Sequence, residues 1–227
     1  MIPWLRSDSP PEAFPPVEQA LAEPDGLLCA GGDLSSARLL EAYRRGIFPW
    51  YSSGQPILWW SPDPRAVLRP EALRVSRSLA RTLRRGALRT TLDSRFESVI
   101  AACGDAQLRP EGTWISTEMR LAYARLHASG HAHSVETWLG DRLVGGVYGV
   151  ALGRVFFGES MFSLVPDASK VALVRLCTEL QARDYRLVDC QVASPHLASL
   201  GAEHMPRHRF CSLLDEEIGS LAPVGWT

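Results

Sequence analysis

Leu143 to Ser163, LVGGVYGVALGRVFFGESMFS, reads as two long β-strands folded back at Gly153-Arg154, and it constrains the chain more than any other stretch. Side chains on a strand alternate between faces. Phe157, Glu159 and Met161 are therefore expected on one side, and Phe156, Gly158, Ser160 and Phe162 on the other. A carboxylate among such neighbours is costly to bury unless something pairs or uses it. Leu187 to Val192, LVDCQV, is a second apolar strand, with Asp189 and Gln191 expected on one face and Cys190 on the opposite one. Glu159, Asp189 and Gln191 are read as parts of one site. A hydrogen-bonded network that only stitches strands together is the alternative.

The other elements follow from punctuation. Residues 1–30 are rich in Pro and acidic residues, with Leu27 to Ala30 as a short strand. Gly31-Gly32-Asp33 lacks the GxxxxGK[ST] phosphate-loop pattern and reads as a turn, with Asp33 or Ser35 capping a helix that ends at Gly46. Ile47 to Tyr51 and Leu58 to Arg65 contain Pro and are expected to be edge strands or loops. Helices are expected over Ser76 to Arg85, Leu92 to Cys103 and Thr117 to Ser129, with a loop through Arg109-Pro110-Glu111-Gly112. A three-strand antiparallel meander from His131 to Ser163 comes next, then a helix over Ala168 to Ala182 capped by Asp167 or Ser169. A strand over Arg186 to Val192 precedes a short helix and a further strand or helix. This order is that of the acetyltransferase-like acyl-transfer fold: an α+β GNAT-type domain with a mixed sheet. It is expected over residues 64–227, after a small N-terminal α/β domain over 1–63.

The chain has 227 residues and a net charge of −1, so overall charge indicates no particular partner. Its distribution is more informative. All the basic residues but Lys170 are arginine, and nine of them lie between Arg65 and Arg95 against Glu71 and Asp93 alone. On a helix, Arg77, Arg81, Arg84 and Arg85 share one face with no acidic partner at i+4. A solvated face is one reading; a phosphate backbone lying across the stripe is the one favoured here. Trp50, Trp59 and Trp60 crowd together, as a small aromatic core or as rings free to stack on a nucleobase. Five cysteines without CxxC spacing suit buried thiols in a reducing compartment. No apolar signal core or membrane-length run occurs, and a cytoplasmic location is expected.

Other chemistries find little support. His131-x-His133 has no third ligand spaced to complete a metal site, so no metal is expected. There is no GxSxG elbow, and no Cys beside a suitable His. Between the last meander strand and the next helix, Phe162 to Lys170 has no glycine and carries an acid. The pyrophosphate-binding loop of coenzyme A-dependent acetyltransferases is thus missing, and the acyl donor is expected to be something else.

Gly31-Gly32-Asp33-Leu34-Ser35, Arg45 to Trp50, LWWSPDPRAVL (Leu58 to Leu68), Gly112 to Ile115, His131 to Ser134, LVGGVYGV (Leu143 to Val150), FGESMFS (Phe157 to Ser163), Ala168-Ser169-Lys170, DCQV (Asp189 to Val192) and Ala198 to Ala202 together resemble the leucyl/phenylalanyl-tRNA–protein transferases. The likeness runs from about Pro24 to Leu214. It implies transfer of Leu, Phe or Met from aminoacyl-tRNA to an N-terminal Arg or Lys of acceptor proteins or peptides, marking them for N-degron-dependent degradation, by a monomer that uses no cofactor and no membrane. By the same resemblance, Trp50 and Trp114 hold the 3′-terminal adenosine. Val147, Leu173, Leu176, Leu180 and Val188 wall the aminoacyl side-chain pocket, and Arg77, Arg81, Arg84 and Arg85 meet the acceptor stem. Glu159, Asp189 and Gln191 surround the reacting ester and amine. The implied reaction is aminolysis of an ester, in which Asp189 orients Gln191, Gln191 fixes the amine or the carbonyl, and Glu159 accepts a proton or attracts the acceptor's cationic end. The rival readings are a coenzyme A-dependent N-acetyltransferase, a peptidoglycan aminoacyl transferase (normally two copies of such a fold) and a non-catalytic RNA-binding module.

Overall fold

A computed structural model describes residues 2–108, 112–219 and 226. The expected loop through Arg109, Pro110 and Glu111 lies outside the described residues. Near the N-terminus, β1 (Trp4–Leu5), β2 (Leu27–Gly31), β3 (Phe48–Pro49) and β4 (Leu58–Trp60) form a small sheet in the order β1-β2-β4-β3. Between β2 and β3 runs α1 (Ser36–Arg44), capped by Ser35, whose Oγ accepts the Arg38 N–H at 3.3 Å. β3 is an edge, as its proline requires. β4 is not: Pro62 falls beyond its end, so Leu58–Trp60 keeps its amides and pairs with both β2 and β3.

The larger sheet has seven strands. β5 (Arg65–Leu68), which shows no alternation, is an inner strand with all four residues buried, and burial on both faces erases the period-2 signal. α2 (Arg77–Arg85) is capped by Ser76 and closed by left-handed Gly86. The helix expected over Leu92 to Cys103 begins a turn later, as α3 (Phe96–Cys103), and an unexpected strand, β6 (Leu88–Leu92), precedes it. The threonine-rich LRTTL pairs along β7 (Ala132–Leu139), so the meander has four strands: β6, β7, β8 (Arg142–Leu152) and β9 (Val155–Ser163). α4 (Thr117–Ala128) precedes it. α5 (Ala168–Ala182), β10 (Leu187–Gln191), α6 (Pro195–Ser199), β11 (Glu203–Met205) and α7 (Arg207–Glu217) complete the chain. The order is β11-β5-β10-β9-β8-β7-β6, antiparallel except where β10 runs parallel to β9. The class is α+β with a mixed sheet, as expected.

One face of this sheet packs with α1, α3, α4 and α7 around Phe96, Tyr123, Phe157, Phe162 and Phe210, and that core continues into the small sheet through Leu28, Tyr43 and Trp59. The other face packs on α5 through Val147, Phe156, Leu173, Leu176 and Val188. The small sheet ends at Trp60 and the large one begins at Arg65, but the two share a core. Among the described residues, no helix is long and apolar enough to cross a membrane.

Two bulges change the expected faces. Tyr148 pairs with Ser160 and Gly149 with Gly158, leaving Glu159 as the extra residue of β9. The alternation reverses there. Phe157 and Phe162 enter one core, while Phe156 lies in the other with Met161 packed against it. In β10 the register shifts between Asp189 and Gln191, and Gln191 takes a left-handed φ of 54°. Asp189 and Gln191 consequently part faces. The last β9–β10 pair is Phe157 with Asp189; beyond it the parallel strands separate into a wedge.

Candidate active site

The wedge opens onto two cavities. The first, of about 220 Å³, is mostly apolar, lined by Leu68, Val147, Gly158, Met161, Leu173, Leu176, Val188 and Leu197 with Ser160 and His196. The second, of about 370 Å³, is lined by Phe48, Pro49, Trp50, Trp114, Val192 and Ala193. Glu159, Cys190, Gln191 and Ser194 line both and form the waist between them. Four of the five expected wall residues, Val147, Leu173, Leu176 and Val188, face the first cavity. Leu180 does not; it is fully buried in the core under α5, one turn beyond the wall. Trp50 and Trp114 face the second cavity. Trp60 tilts against Trp50 at 5.7 Å and donates its Nε1–H to the Trp50 carbonyl at 2.6 Å, which fixes the ring's setting. Trp59 is fully buried and donates to Gly31 O, so it belongs to the core.

The bulge turns the Glu159 side chain towards the small-sheet side of the core. There Oε1 lies 2.8 Å from Tyr43 Oη and Oε2 lies 2.8 Å from Tyr123 Oη, and the two phenols hydrogen-bond to each other. Gln191 Nε2 stands 3.5 Å from Oε1, at the limit of a hydrogen bond. Burial pushes the Glu159 carboxyl up to about 7; the phenols and Arg65 pull it down, and the charge of Asp189 adds to the rise.

Asp189 is sealed from both cavities. Arg65 holds it in a two-pronged ion pair, Nε to Oδ1 at 2.8 Å and Nη2 to Oδ2 at 2.6 Å, with both side chains almost fully buried. The guanidinium also donates to Gly46 O at 3.0 Å and lies between the rings of Phe48 and Phe210. The Gln191 backbone N–H donates to Asp189 Oδ1 at 3.0 Å. The three expected site residues thus converge, with Glu159 and Gln191 in contact with the open space and Asp189 beneath them, fixing the bulged backbone of Gln191. Cys190 carries no reactive thiolate at the waist, because burial pushes its thiol well above the usual range.

Sequence reasoning missed Arg65, Tyr43, Tyr123, Gly158 and the wall residues Leu68 and Leu197. For Arg65 a signal existed: an acid on a buried strand demands a cation, and Arg65 opens the apolar run RAVL. The tyrosines sit on α1 and α4, far from Glu159 in the chain, and no local pattern marks them.

On α2, Arg77, Arg81, Arg84 and Arg85 are exposed, and Leu79 is the buried residue. None of the four forms an ion pair among the described residues. Thr82 donates to Asp167 at 2.9 Å, tying α2 to the start of α5, the helix that supplies Leu173 and Leu176. Asp167 occupies the N-cap position of α5, but its carboxylate is spent there and on Lys170 and makes no cap hydrogen bond. His133 Nδ1 lies 2.7 Å from Asp93 and His131 Nδ1 lies 3.0 Å from Ser129 Oγ.

The family model described as leucyl/phenylalanyl-tRNA protein transferase matches residues 67–215, and that of the family's N-terminal domain matches residues 32–63. A leucyl/phenylalanyl-tRNA–protein transferase of Aromatoleum aromaticum is 62% identical, covering 93% of this chain and 88% of its own. One from an Azoarcus species is 55% identical, covering 100% and 96%. The chain belongs to this family. It is therefore an aminoacyltransferase, and the cavities joined at Glu159 and Gln191 are its candidate centre. Among solved structures, a GCN5-related N-acetyltransferase from Kribbella flavida is similar at 13% identity and a TM-score of 0.40, covering 74% of this chain and 59% of that one.

Proposed function

We propose that the protein transfers leucine, phenylalanine or methionine from aminoacyl-tRNA to proteins or peptides that begin with Arg or Lys, acting as a monomer in the cytoplasm and marking its acceptors for degradation. The observation that carries this reading is the meeting of two unlike cavities at one waist. An aminoacyl-adenosine has the same two ends: an aliphatic or aromatic side chain suits the apolar cavity, and a base suits the space between Trp50 and Trp114. The ester that joins those ends then lies at Glu159 and Gln191. The unpaired arginine face of α2 suits the phosphates of an acceptor stem.

The reaction is aminolysis. The acceptor's amine attacks the ester carbonyl, a C–N bond forms, the bond to the ribose oxygen breaks, and one proton passes from nitrogen to that oxygen. A free α-amine has a pKa of about 8, so part of it is already neutral at cytoplasmic pH. Holding amine and ester together supplies much of the rate. Gln191, a neutral amide, orients a reactant, while Asp189 orients Gln191 through its backbone N–H. Glu159 handles the proton.

The test is transfer of radiolabelled leucine from charged tRNA to a peptide beginning with Arg, against the same peptide acetylated at its N-terminus. Label is expected only in the free-amine peptide. Its absence there, with acetyl transfer from acetyl-coenzyme A instead, overturns the reading. In parallel, tRNA affinity should fall steeply with salt, and replacing each α2 arginine with Gln should lower the log–log slope by about 1.

A further inference from the structure

Tyr43, Tyr123 and the two carboxyl oxygens of Glu159 close a ring through three contacts: Tyr43 Oη to Oε1, Tyr123 Oη to Oε2, and Tyr43 Oη to Tyr123 Oη. Each contact needs a hydrogen between its oxygens, since two lone pairs at such a separation repel. The phenols bring one hydrogen each. Within the ring, the third has a single source, the carboxyl group itself. Both tyrosines are fully buried, so water does not relieve the phenol–phenol contact, and a buried polar group left without its hydrogen bond costs stability.

We infer that Glu159 rests as a neutral carboxylic acid, locked in a three-hydrogen ring by Tyr43 and Tyr123, and that these tyrosines are positioning residues for the proton it moves during transfer. The ring stands on geometry alone; its use in catalysis rests on the proposed aminoacyl transfer. The groups that face the carboxyl fit this state. Tyr43 comes from α1 and Tyr123 from α4, and Tyr148 of β8 packs edge-on against Tyr123 at 5.7 Å. From β10, Gln191 approaches as a neutral amide, and Asp189 is already matched by Arg65 of β5. No cationic side chain among the described residues pairs with Glu159, and burial favours its uncharged form.

A resting acid can serve both ends of the aminolysis. Its O–H gives a proton to the departing ribose oxygen as the ester C–O bond breaks, and the attacking nitrogen returns one to the carboxyl as the C–N bond forms. The proton count of the enzyme is unchanged after each turnover. A neutral Glu159 also offers no charge to a cationic acceptor side chain, so preference for Arg or Lys would have to arise elsewhere.

The test uses infrared difference spectra of the tRNA-free protein, wild type minus Glu159→Gln, as pH is raised. The carbonyl band of a protonated carboxyl is expected at neutral pH. In Tyr43→Phe and in Tyr123→Phe the ring opens, and the carbonyl band should shift in frequency as the carboxyl loses a hydrogen-bond partner. A band that keeps its frequency in both variants overturns the inference. A wild type with no band at neutral pH overturns it as well. Two independent tyrosine variants protect the test against one misfolding. Because no tRNA is present, the spectra fail or succeed separately from the radiolabel assay. If both succeed, the alkaline limb of the transfer pH profile should follow the pH at which the band disappears.

Discussion

Two acids stand on neighbouring strands at the wedge, and the chain treats them in opposite ways. Asp189 is sealed under the waist with a guanidinium whose two nitrogens match its two oxygens, so it is locked in a two-pronged ion pair. Glu159 opens onto both cavities and has two phenols in place of a paired cation, so desolvation is only partly answered, by the phenols and by the charge of Arg65 beyond Asp189. One region therefore pairs its charge and uses it to shape backbone. The other leaves a proton free to move. The pairing partner, more than the acid's residue type, assigns the role.

The largest effect should come from breaking the fixed pair. Arg65→Met or Asp189→Ala alone leaves one buried charge without its partner and should cost roughly 3–5 kcal/mol of stability in urea denaturation. The double variant Arg65→Met/Asp189→Leu removes both charges and should recover most of that loss. It still leaves the Gln191 N–H without its acceptor, so transfer should stay abolished while tRNA affinity is retained. A double variant that transfers at the wild-type rate would reduce the pair to scaffolding and erase the contrast with Glu159.

Much of this contrast was legible before the fold. Alternation in FGESMFS and LVDCQV singled out Glu159, Asp189 and Gln191 as polar groups on apolar strands, and Ser35, one of two cap candidates, placed the start of α1 correctly. What alternation could not show was a bulge in each strand, because an extra residue leaves composition untouched while reversing every face beyond it. That is why Asp189 and Gln191 part company and why Phe162 joins the core of Phe157. β5 was hidden for the opposite reason, being buried on both sides. The tyrosine ring depends on three elements meeting, which no local pattern encodes.

A smaller effect tests the mobile-proton side. The Glu159 carboxyl is raised from 4.5 to about 7 in the folded protein. The native state thus holds this proton more tightly than the unfolded chain, and the resulting stabilisation is complete below pH 4.5 and lost as pH rises through about 7. Glu159→Gln has no such dependence. The melting temperature of the variant minus that of the wild type should therefore increase from pH 5 to pH 8. A flat difference would mean that the Glu159 proton does not distinguish the folded chain from the unfolded one.

The smallest effect concerns Gly158, which lies between the two acids on the wall of the apolar cavity. Some glycines of this sheet are demanded by the fold: a Cβ at Gly149, its cross-strand partner, would stand 2.2 Å from Phe157 O and 2.6 Å from the Phe156 ring. At Gly158 the same atom would meet Asp189 O at 3.5 Å and Val188 Cγ1 at 3.6 Å, both ordinary contacts. No left-handed φ requires glycine there either. The methyl group it lacks is therefore space left to the cavity. Gly158→Ala should fold with stability within about 1 kcal/mol of wild type, since a compatible Gly→Ala change acts mainly on the unfolded chain. Transfer should nevertheless fall, by about tenfold for phenylalanine and less for leucine, because one methyl in a fitted apolar pocket is worth about 1–3 kcal/mol and penalises the larger ligand more. Equal losses for both amino acids, with an unchanged KM for each charged tRNA, would mean that the alanine disturbs the waist instead of the pocket. The boundary between the two acids would then be drawn by backbone position and not by the room a substrate needs.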